Sequence, residues 1–319
     1  MISVVVPTNR IGGMDLLFDS LERQTHRDFE LILVDAVAPF RKLGSPKYPV
    51  APGFHPNARI PLQWLDPCSY KMECSYMRSM NLALQHARGE TIVFMPDFSW
   101  LHEDCLAVHA EAQKRTPGPV CLDYRYVSFP PTKLDLPSYR ETIAGTHENA
   151  EEYGRQCEAN ATRYVADLKS GRLDKFMWSI FAEPVTAETI ETLPVEHEHK
   201  PSTADLATDW NWCSLKNESI PTELLLDMNG FDEAYDGSHL YQDSELSYRL
   251  RARGIRWHHG GPGGMLTVVN PRSWSNIKTL ARPLFSNQEL CFNSRRAELH
   301  LPVNPGFSLR DRRRKATGL

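Results

Sequence analysis

Residues 1–10, MISVVVPTNR, hold the stretch that decides the fold. Within it, Ile2–Val6 is a short apolar run, mostly β-branched, that stops at Pro7. A run of this length is too short for a helix and is typical of a buried strand in a parallel sheet. Two more apolar runs of the same kind follow at 29–34 and 91–95. We therefore predict three buried strands in the N-terminal third of the chain.

Segments with helical periodicity separate and follow these runs. In the first of them, Leu17, Phe18 and Leu21 share one helical face that can cover a sheet. A fourth strand is predicted at 119–127. Strands and helices that alternate in this way predict an α/β fold with a mainly parallel central sheet flanked by helices. The predicted helices are Met14–Gln24, Cys74–His86, Pro221–Asn229 and Tyr241–Arg253, and a glycine ends each of the last three.

The composition is that of a globular protein and limits the partners. With 319 residues the chain can form one large domain or two ordinary ones, and 41% hydrophobic residues exclude disorder as its dominant state. The net charge is −4, from 36 Lys and Arg against 40 Asp and Glu, whereas a general polyanion binder is usually basic. Nucleic acid therefore stays open as a partner only through a local patch, such as the basic residues at 310–315.

The sequence shows no sign of a membrane or secreted protein. No apolar run approaches the roughly 18 residues of a membrane helix, and the first residues lack the features of a secretory signal. The 7 cysteines are odd in number and form no CxxC pair, which argues against a disulfide framework and a four-thiolate zinc site. We expect a location in the reducing cytoplasm.

Polar residues follow the predicted strands at the points where the strands end. Open α/β sheets bind their ligands at the carboxyl ends of parallel strands. One aspartate at such a point is commonly a turn or cap residue, but polar ends in three successive units favour a nucleotide site. These residues are Pro7, Thr8, Asn9 and Arg10 after the first strand, Asp35 after the second and Asp97 after the third.

Several blocks of the sequence resemble one known family. They are MISVVVPTNR with FELILVDA, NLALQHARGETIVFMPDFSWL at 81–101, NGFDEAY at 229–235 and YQDSELSYRLRARG at 241–254. In this order they resemble family 2 glycosyltransferases of the GT-A fold, over residues 1–126 and 211–254. The resemblance implies a Rossmann-like GT-A domain with a mixed, mainly parallel sheet. It also implies a hexosyltransferase-like transfer of sugar from a nucleoside diphosphate donor, usually a uridine diphosphate (UDP) sugar.

The resemblance divides the chain and assigns a donor site. Residues 1–127 are the nucleotide-sugar half and 210–270 the acceptor and catalytic half, with a helical or irregular insertion at 128–209 and a C-terminal extension at 271–319. Arg78 and Asn81 lie one helical turn apart, so both are expected to face the diphosphate, with a solvated helix face as the alternative for Arg78. The donor residues implied are Pro7, Thr8, Asn9, Arg10, Asp35, Arg78, Asn81 and Asp97.

The metal motif departs from the family pattern. The family carries Asp-x-Asp after the third strand, where two carboxylates hold a divalent cation that neutralises the leaving diphosphate. This chain has Pro96-Asp97-Phe98 in that place. We expect Mn²⁺ or Mg²⁺ as a cofactor with Asp97 as a ligand, and the late histidine of some family members makes His259 a second candidate. The alternatives are charge stabilisation by Arg and Lys, a capping role for Asp97 and a loop histidine without a ligand.

The resemblance implies an inverting transfer with Asp243 as general base, which takes the proton of an acceptor hydroxyl as the sugar carbon is attacked. The Glu-Asp pair of the family is Gln242-Asp243 here, at a predicted helix start where the helix dipole favours an ionised carboxylate. An aspartate that only caps the helix is the alternative. The acceptor contacts implied are Trp210, Trp212, Asp232 and Glu233, and core packing is the alternative for the two tryptophans.

Other functions and several acceptors stay open. The altered metal motif favours a non-catalytic sugar-nucleotide or glycan-binding protein, and a nucleotidyltransferase can share a similar sheet. The acceptor is a glycan, a lipid-linked sugar or another hydroxyl compound, with a modified base in DNA as a minor option. We expect the His197–His199 segment to be a polar loop, with a metal site formed by the two histidines on one side of a strand as the alternative. We expect the basic tail to be disordered, with a lid over the diphosphate or contacts to anionic lipid or nucleic acid as alternatives.

Overall fold

The structure of the protein is a computed structural model. It describes residues 1–8, 14–35, 60–67, 76–97, 99–128, 192–193, 195–200, 215–236, 242–269 and 302–319. The strands in these ranges are β1 (Ile2–Thr8), β2 (Phe29–Asp35), β3 (Leu62–Leu65), β4 (Thr91–Phe94), β5 (Ser99–Leu101), β6 (Val120–Cys121), β7 (Tyr124–Ser128), β8 (Val195–His199), β9 (Glu218–Pro221), β10 (His258–His259) and β11 (Met265–Val269). The helices are α1 (Met14–Glu22), α2 (Tyr76–His86), α3 (Cys105–Arg115), α4 (Thr222–Asp227), α5 (Gln242–Ala252) and α6 (Leu309–Thr317), with a 3-10 turn at Glu233–Tyr235.

The main sheet has seven strands in the order β10-β6-β9-β4-β1-β2-β3. Neighbouring strands run parallel, except that β9 is antiparallel to both β4 and β6. A second sheet has the order β5-β11-β7-β8. The predicted α/β class with a mixed, mainly parallel central sheet is confirmed. Strands from 1–127 and from 210–270 both belong to this sheet, so the two predicted halves share one framework.

Three local predictions differ from the structure. The strand predicted at 119–127 is two strands, because the chain leaves the main sheet after β6 and joins the second sheet as β7. The polar loop expected at His197–His199 is wrong, since these residues belong to β8, which pairs antiparallel with β7. The expected disordered tail is also wrong, since it forms α6, with Ser308 as N-cap and Gly318 in a left-handed conformation after its last turn.

Each face of the main sheet bears one apolar cluster. Val5 and Phe94 are fully buried on the face covered by α2, α4, α5 and α6. Val4 and Val93, their neighbours along the same strands, are fully buried on the face covered by α1, α3 and the second sheet. Successive side chains of a strand point to opposite faces, so a strand in the middle of the sheet is apolar on both faces. This burial of both faces explains the continuous apolar runs of the sequence. The buried polar side chains of β1 and β2, Ser3 and Glu30, bond each other.

A buried turn at 228–233, which follows α4, joins the helices of one face. The side-chain amide of Asn81 on α2 donates to the carbonyl of Phe231 at 2.8 Å and accepts from the N–H of Phe231 at 2.8 Å. Arg249 on α5 donates to the carbonyls of Met228 at 3.0 Å and Gly230 at 2.8 Å. These bonds satisfy backbone groups that would otherwise be buried without partners, so the turn fixes α2 and α5 relative to each other.

The same turn requires a glycine at position 230. Its φ is +74°, and a Cβ there would lie 2.3 Å from Oδ1 of Asn81 and 2.7 Å from Cδ2 of Leu309. A side chain at this point would therefore be strained and would also displace two neighbouring elements.

The C-terminal segment at 302–319 docks on this turn. Asn304 donates to the carbonyls of Asn229 at 2.9 Å and Phe231 at 2.8 Å, and Asn229 donates in return to the carbonyl of Phe307 at 2.9 Å. On α6, Leu309 is fully buried in the apolar cluster, and Arg310 bonds both Glu223 and Asp227 of α4. The segment is thus part of the folded core of this face. None of the helices in the described ranges combines the length and apolar character needed to cross a bilayer.

We predict that Leu309→Ala lowers the free energy of unfolding by about 2–5 kcal/mol, because it leaves a cavity in the apolar cluster. Leu319→Ala is the control, since Leu319 is 63% exposed and surface changes are usually worth no more than about 0.5 kcal/mol. Urea unfolding of both variants measures the difference. Equal stabilities would show that α6 does not pack on the core.

Candidate functional site at the carboxyl edge of the main sheet

The carboxyl edge is defined here as the edge of the main sheet where β1, β2, β4, β6 and β10 end and β9 begins. The strand directions bring the predicted residues Thr8, Asp35 and Asp97 to this edge. They also bring Asp123, which follows β6, and Glu218, the first residue of β9, to the same edge. The predicted grouping of polar strand ends therefore forms, and it extends to the other half of the sheet.

On the side of the edge formed by β1, β2 and β4, two side-chain hydrogen bonds fix the carboxylates. The Thr8 hydroxyl donates to Oδ2 of Asp97 at 2.9 Å, and the indole N–H of Trp64 on β3 donates to Oδ2 of Asp35 at 3.1 Å. Asp35 is fully buried and Asp97 is 8% exposed. Trp64 was not predicted as a site residue, because nothing in the sequence shows that β3 lies beside β2. Asn9 and Arg10 lie outside the described residues.

Arg78 and Asn81 contact the 228–233 turn in the structure. Asn81 is fully buried, and its amide also donates to Oε1 of Glu233 at 3.0 Å. The Arg78 side chain is 63% exposed, and its Nε lies 3.6 Å from Oε2 of Glu233. Through its hydrogen bonds Asn81, a predicted donor residue, links α2 to the turn. Of the predicted acceptor residues, Asp232 is buried and accepts from the N–H of Ala234, and Glu233 pairs with Arg78.

Asp236 caps the start of α2, a contact that spans more than 150 residues of sequence. Its carboxylate accepts from the N–H of Met77 at 2.8 Å and of Arg78 at 3.1 Å. Burial raises the pKa of Asp236 to about 6, although these two backbone hydrogen bonds act in the opposite direction. The residue follows the Gly-Phe-Asp-Glu block directly, but the sequence cannot show which helix it caps.

Asp97 and His259 do not form a common metal site. Asp97 follows β4 and His259 lies on β10, three strands away in the order β4-β9-β6-β10. Three strand spacings amount to roughly 14 Å, far beyond the separation of two ligands on one ion. His259 instead pairs with Asp123, with Nε2 and Oδ1 2.7 Å apart. Among the described residues, no three side chains of His, Cys, Asp or Glu converge on a point suited to a metal.

Asp123 was not predicted as a site residue, because the sequence predicts one strand over 119–127 and does not show that the chain leaves the main sheet after β6. Asn217 fixes the backbone of Asp123. The Asn217 amide donates to the carbonyl of Asp123 at 2.8 Å, and its Oδ1 accepts from Nε2 of His109 at 3.1 Å. Because Oδ1 is an acceptor, His109 carries its proton on Nε2. Burial lowers the pKa of His109 to about 4, and the bond to Asn217 opposes this shift only in part.

The start of α5 approaches the carboxyl edge. The helix is followed within a few residues by β10, which runs parallel to β6, so the end of α5 lies near the amino edge and its start is directed toward the carboxyl edge. Asp243 is the second residue of α5, which begins one residue later than predicted, and its side chain lies outside the described part. Leu246 and Arg249 anchor the helix in the core of this face. Trp210 and Trp212 lie outside the described residues.

Comparison with known proteins returns matches by structure only. No protein-family profile and no characterised protein matches the sequence. S. aureus TarS in complex with UDP is 14% identical over 89% of this chain, with a TM-score of 0.44. Mannosyltransferase PcManGT from Pyrobaculum calidifontis, in complex with GDP-Man and Mn²⁺, is 16% identical over 99% of this chain, with a TM-score of 0.45.

The alignments cover unequal shares of these proteins. The chain spans 65% of the TarS chain and 73% of the PcManGT chain. A second TarS structure, in complex with UDP-GlcNAc, is 15% identical over 85% of this chain and 56% of that one, with a TM-score of 0.41. The structures found are of glycosyltransferases, the class of protein that the sequence blocks resemble.

We predict that acid destabilises the protein through His109. Its pKa is lower in the folded state, about 4, than the ~6.5 of an unfolded chain, so its contribution is fully present above about pH 6.5 and is lost as the pH falls towards 4. Between pH 8 and pH 5 this amounts to about 2 kcal/mol. In His109→Gln the same acidification should cost about that much less.

Urea unfolding of wild type and His109→Gln at pH 8, 6.5 and 5 measures this difference. Other groups with shifted pKa values, including Asp236 and His86, are present in both proteins and cancel in the comparison. Parallel pH profiles would contradict the assignment to His109.

Proposed function

We propose that the protein is a glycosyltransferase that moves a sugar from a nucleoside diphosphate donor, UDP-linked, to a hydroxyl acceptor with inversion. The observation that carries this proposal is the pair of bonds from Thr8 to Asp97 and from Trp64 to Asp35 at the carboxyl edge. Together they hold two buried carboxylates in place at the ends of β2 and β4, with β1 between them. Parallel-sheet proteins bind nucleotides at this kind of edge.

The donor half has distinct tasks for its two carboxylates. A carboxylate accepts hydrogen bonds from hydroxyl groups, so Asp35 suits the ribose of the nucleoside, as acidic residues do in other nucleotide sites. Asp97 follows β4, the neighbour of β1, and suits the diphosphate region. Because the carboxylate and the diphosphate are both negative, a cation must lie between them. Thr8, at the end of β1 between these two carboxylates, orients Asp97 through its hydroxyl group.

A divalent cation fits this site only with ligands from the substrate. Mg²⁺ and Mn²⁺ accept carboxylate oxygens and are often bound by one or two carboxylates together with substrate phosphates. Asp97 supplies one such carboxylate, already oriented by Thr8, and the remaining ligands would be diphosphate oxygens and water. When bound, the cation would offset charge on the leaving diphosphate.

The acceptor half supplies the base in this proposal. Asp243, in the first turn of α5, takes the proton of the acceptor hydroxyl as that oxygen attacks the anomeric carbon and the bond to the diphosphate breaks. The positive end of the helix dipole keeps a carboxylate there ionised at neutral pH. Because α5 is tied to the 228–233 turn by Arg249, the position of this helix start is set by the same turn that fixes α2.

A non-catalytic sugar-nucleotide-binding protein is the second candidate. The replacement of both motif acids by Pro96 and Phe98 favours it. A panel of nucleotide sugars, tested by thermal shift and by release of nucleoside diphosphate with and without Mn²⁺, separates the two. Binding with release supports the transferase, binding without release in the presence of varied acceptors supports the binding protein, and no binding of any donor rejects both.

We predict that Mn²⁺ raises the affinity of the wild type for UDP and that Asp97→Asn removes this gain, because an amide is a poor ligand for the ion. Thr8→Val should reduce the gain by less, since it removes one hydrogen bond worth about 0.5–1.5 kcal/mol and leaves the carboxylate. Calorimetric titration of UDP with Mn²⁺ or with chelator tests both. An unchanged metal dependence in Asp97→Asn would assign the cation to other ligands.

We predict that Asp243→Asn lowers the turnover number by about 10²–10⁴, the usual cost of removing a general base. The affinity for the donor should stay the same, because the base acts on the acceptor. Stability should fall by no more than about 0.3–1 kcal/mol, the usual contribution of a carboxylate in the first turn of a helix.

Asp28→Asn is the matched control for this variant, because Asp28 is exposed and precedes β2 at the opposite edge of the sheet. Steady-state kinetics, calorimetry with UDP and thermal unfolding are measured on both variants. Turnover of Asp243→Asn close to that of Asp28→Asn would exclude Asp243 as the base.

A further inference from the structure

Lys216 occupies a strained turn directly before β9. Its two neighbours, Leu215 with φ 53° and Asn217 with φ 52°, are both non-glycine residues in the left-handed region. This conformation is unfavourable for Leu215, whose Cβ crowds the backbone there, whereas Asn217 adopts it more readily. Strain of this kind persists only where surrounding contacts impose it, and it is concentrated at functional sites.

Buried contacts hold the turn on both sides of Lys216. Glu218, which is fully buried, accepts from the N–H of Leu215 at 2.9 Å. Asn217, also fully buried, bonds the carbonyl of Asp123, and its Oδ1 accepts from His109 and from the thiol of Cys105. The backbone at 215–217 is therefore fixed, and the direction in which the Lys216 side chain leaves it is fixed as well.

The turn lies at the middle of the carboxyl edge. The first residue of β9, Glu218, is paired with Phe94 on β4 and with Cys121 on β6. The Lys216 ammonium donates to the Tyr126 hydroxyl at 2.8 Å and lies 5.3 Å from the centre of the ring. In the second sheet, Thr267 on β11 is paired with Tyr126 on β7 and with Ser99 on β5. Tyr126 and Ser99 are therefore two strand spacings apart, roughly 10 Å. Ser99 is two residues after Asp97 in the chain.

The charges at this edge make a cation necessary for binding a diphosphate. Asp97, Asp123 and Glu218 bring three carboxylates to the strand ends around the turn, and a nucleoside diphosphate adds further negative charge. The described residues supply no three-ligand metal site to offset it. Lys216 is half-buried, so its charge acts through a medium of lower dielectric than bulk water.

We propose that Lys216 binds the diphosphate of the donor and stabilises it as the leaving group, with Tyr126 holding the ammonium in position. This inference rests on the proposed transferase function. In the transfer, the bond between the anomeric carbon and the diphosphate oxygen breaks and its electron pair stays on that oxygen. The lysine ammonium donates a hydrogen bond to the diphosphate and keeps its own protons. The proton of the acceptor hydroxyl goes to the base on the other half of the site.

The test compares UDP with uridine, which share the nucleoside and differ in the diphosphate. Lys216→Met should weaken UDP binding about 10–100-fold, the value of a hydrogen bond to a charged group. Uridine affinity should stay unchanged. Lys216→Arg should restore much of the UDP affinity, and Tyr126→Phe should give a smaller loss than Lys216→Met. Lys200→Met is the control, because Lys200 is an exposed lysine paired with Glu198 on the second sheet.

Calorimetry in chelator and in Mn²⁺, with thermal unfolding of each variant, gives three contrary outcomes. If wild type binds UDP and Lys216→Met binds it equally well, the role of Lys216 is rejected and the transferase proposal stands. If Lys216→Met loses uridine and UDP alike and its melting temperature falls, Lys216 is structural. If wild type binds neither UDP nor another nucleoside diphosphate, the proposed function itself is rejected and this inference with it.

Discussion

Satisfying the buried backbone of the 228–233 turn is the constraint on which the rest of this structure depends. The turn crosses the apolar face of the main sheet, where each unpaired N–H or carbonyl would cost free energy comparable to a lost hydrogen bond. Asn81, Arg249 and Asn304 supply the partners, and they come from α2, α5 and the C-terminal segment. Three elements distant in sequence thereby acquire fixed positions around one short peptide, and Gly230 provides the room they need.

The reversed direction of β9 determines what the carboxyl edge contains. A parallel strand in this place would bring the end of the strand to the edge, but β9 brings its beginning, together with the turn at 215–217. The edge therefore has two halves of different character. On one side, Thr8 and Asp35 end β1 and β2 and Asp97 follows β4. On the other side, Asp123 follows β6 and His259 ends β10. The strained turn with Lys216 lies between these two groups.

The electrostatics of the edge bear on the residues that follow β4. Two neighbouring carboxylates after β4 would need a tightly bound cation to lie close to a diphosphate. With Pro96 and Phe98 in their place, one acid remains there, and its hydroxyl partner Thr8 satisfies part of its hydrogen bonding. Lys216, on the turn before β9, is proposed to supply positive charge that does not depend on metal binding. The proposed division of charge between Asp97, a cation and Lys216 follows from this balance.

The sequence by itself determined the elements whose patterns are local. The apolar runs of β1, β2 and β4 predict buried parallel strands because such strands need no polar face, and Thr8, Asp35 and Asp97 follow from where those runs end. Only the tertiary structure decided the partners: Trp64 for Asp35, Asp123 for His259, Asn81 for the 228–233 turn, Asp236 for α2. Each of these pairs joins residues far apart in the chain, and their distance is set by the order and direction of strands. That order depends on how the whole chain packs, which no local pattern of residues records.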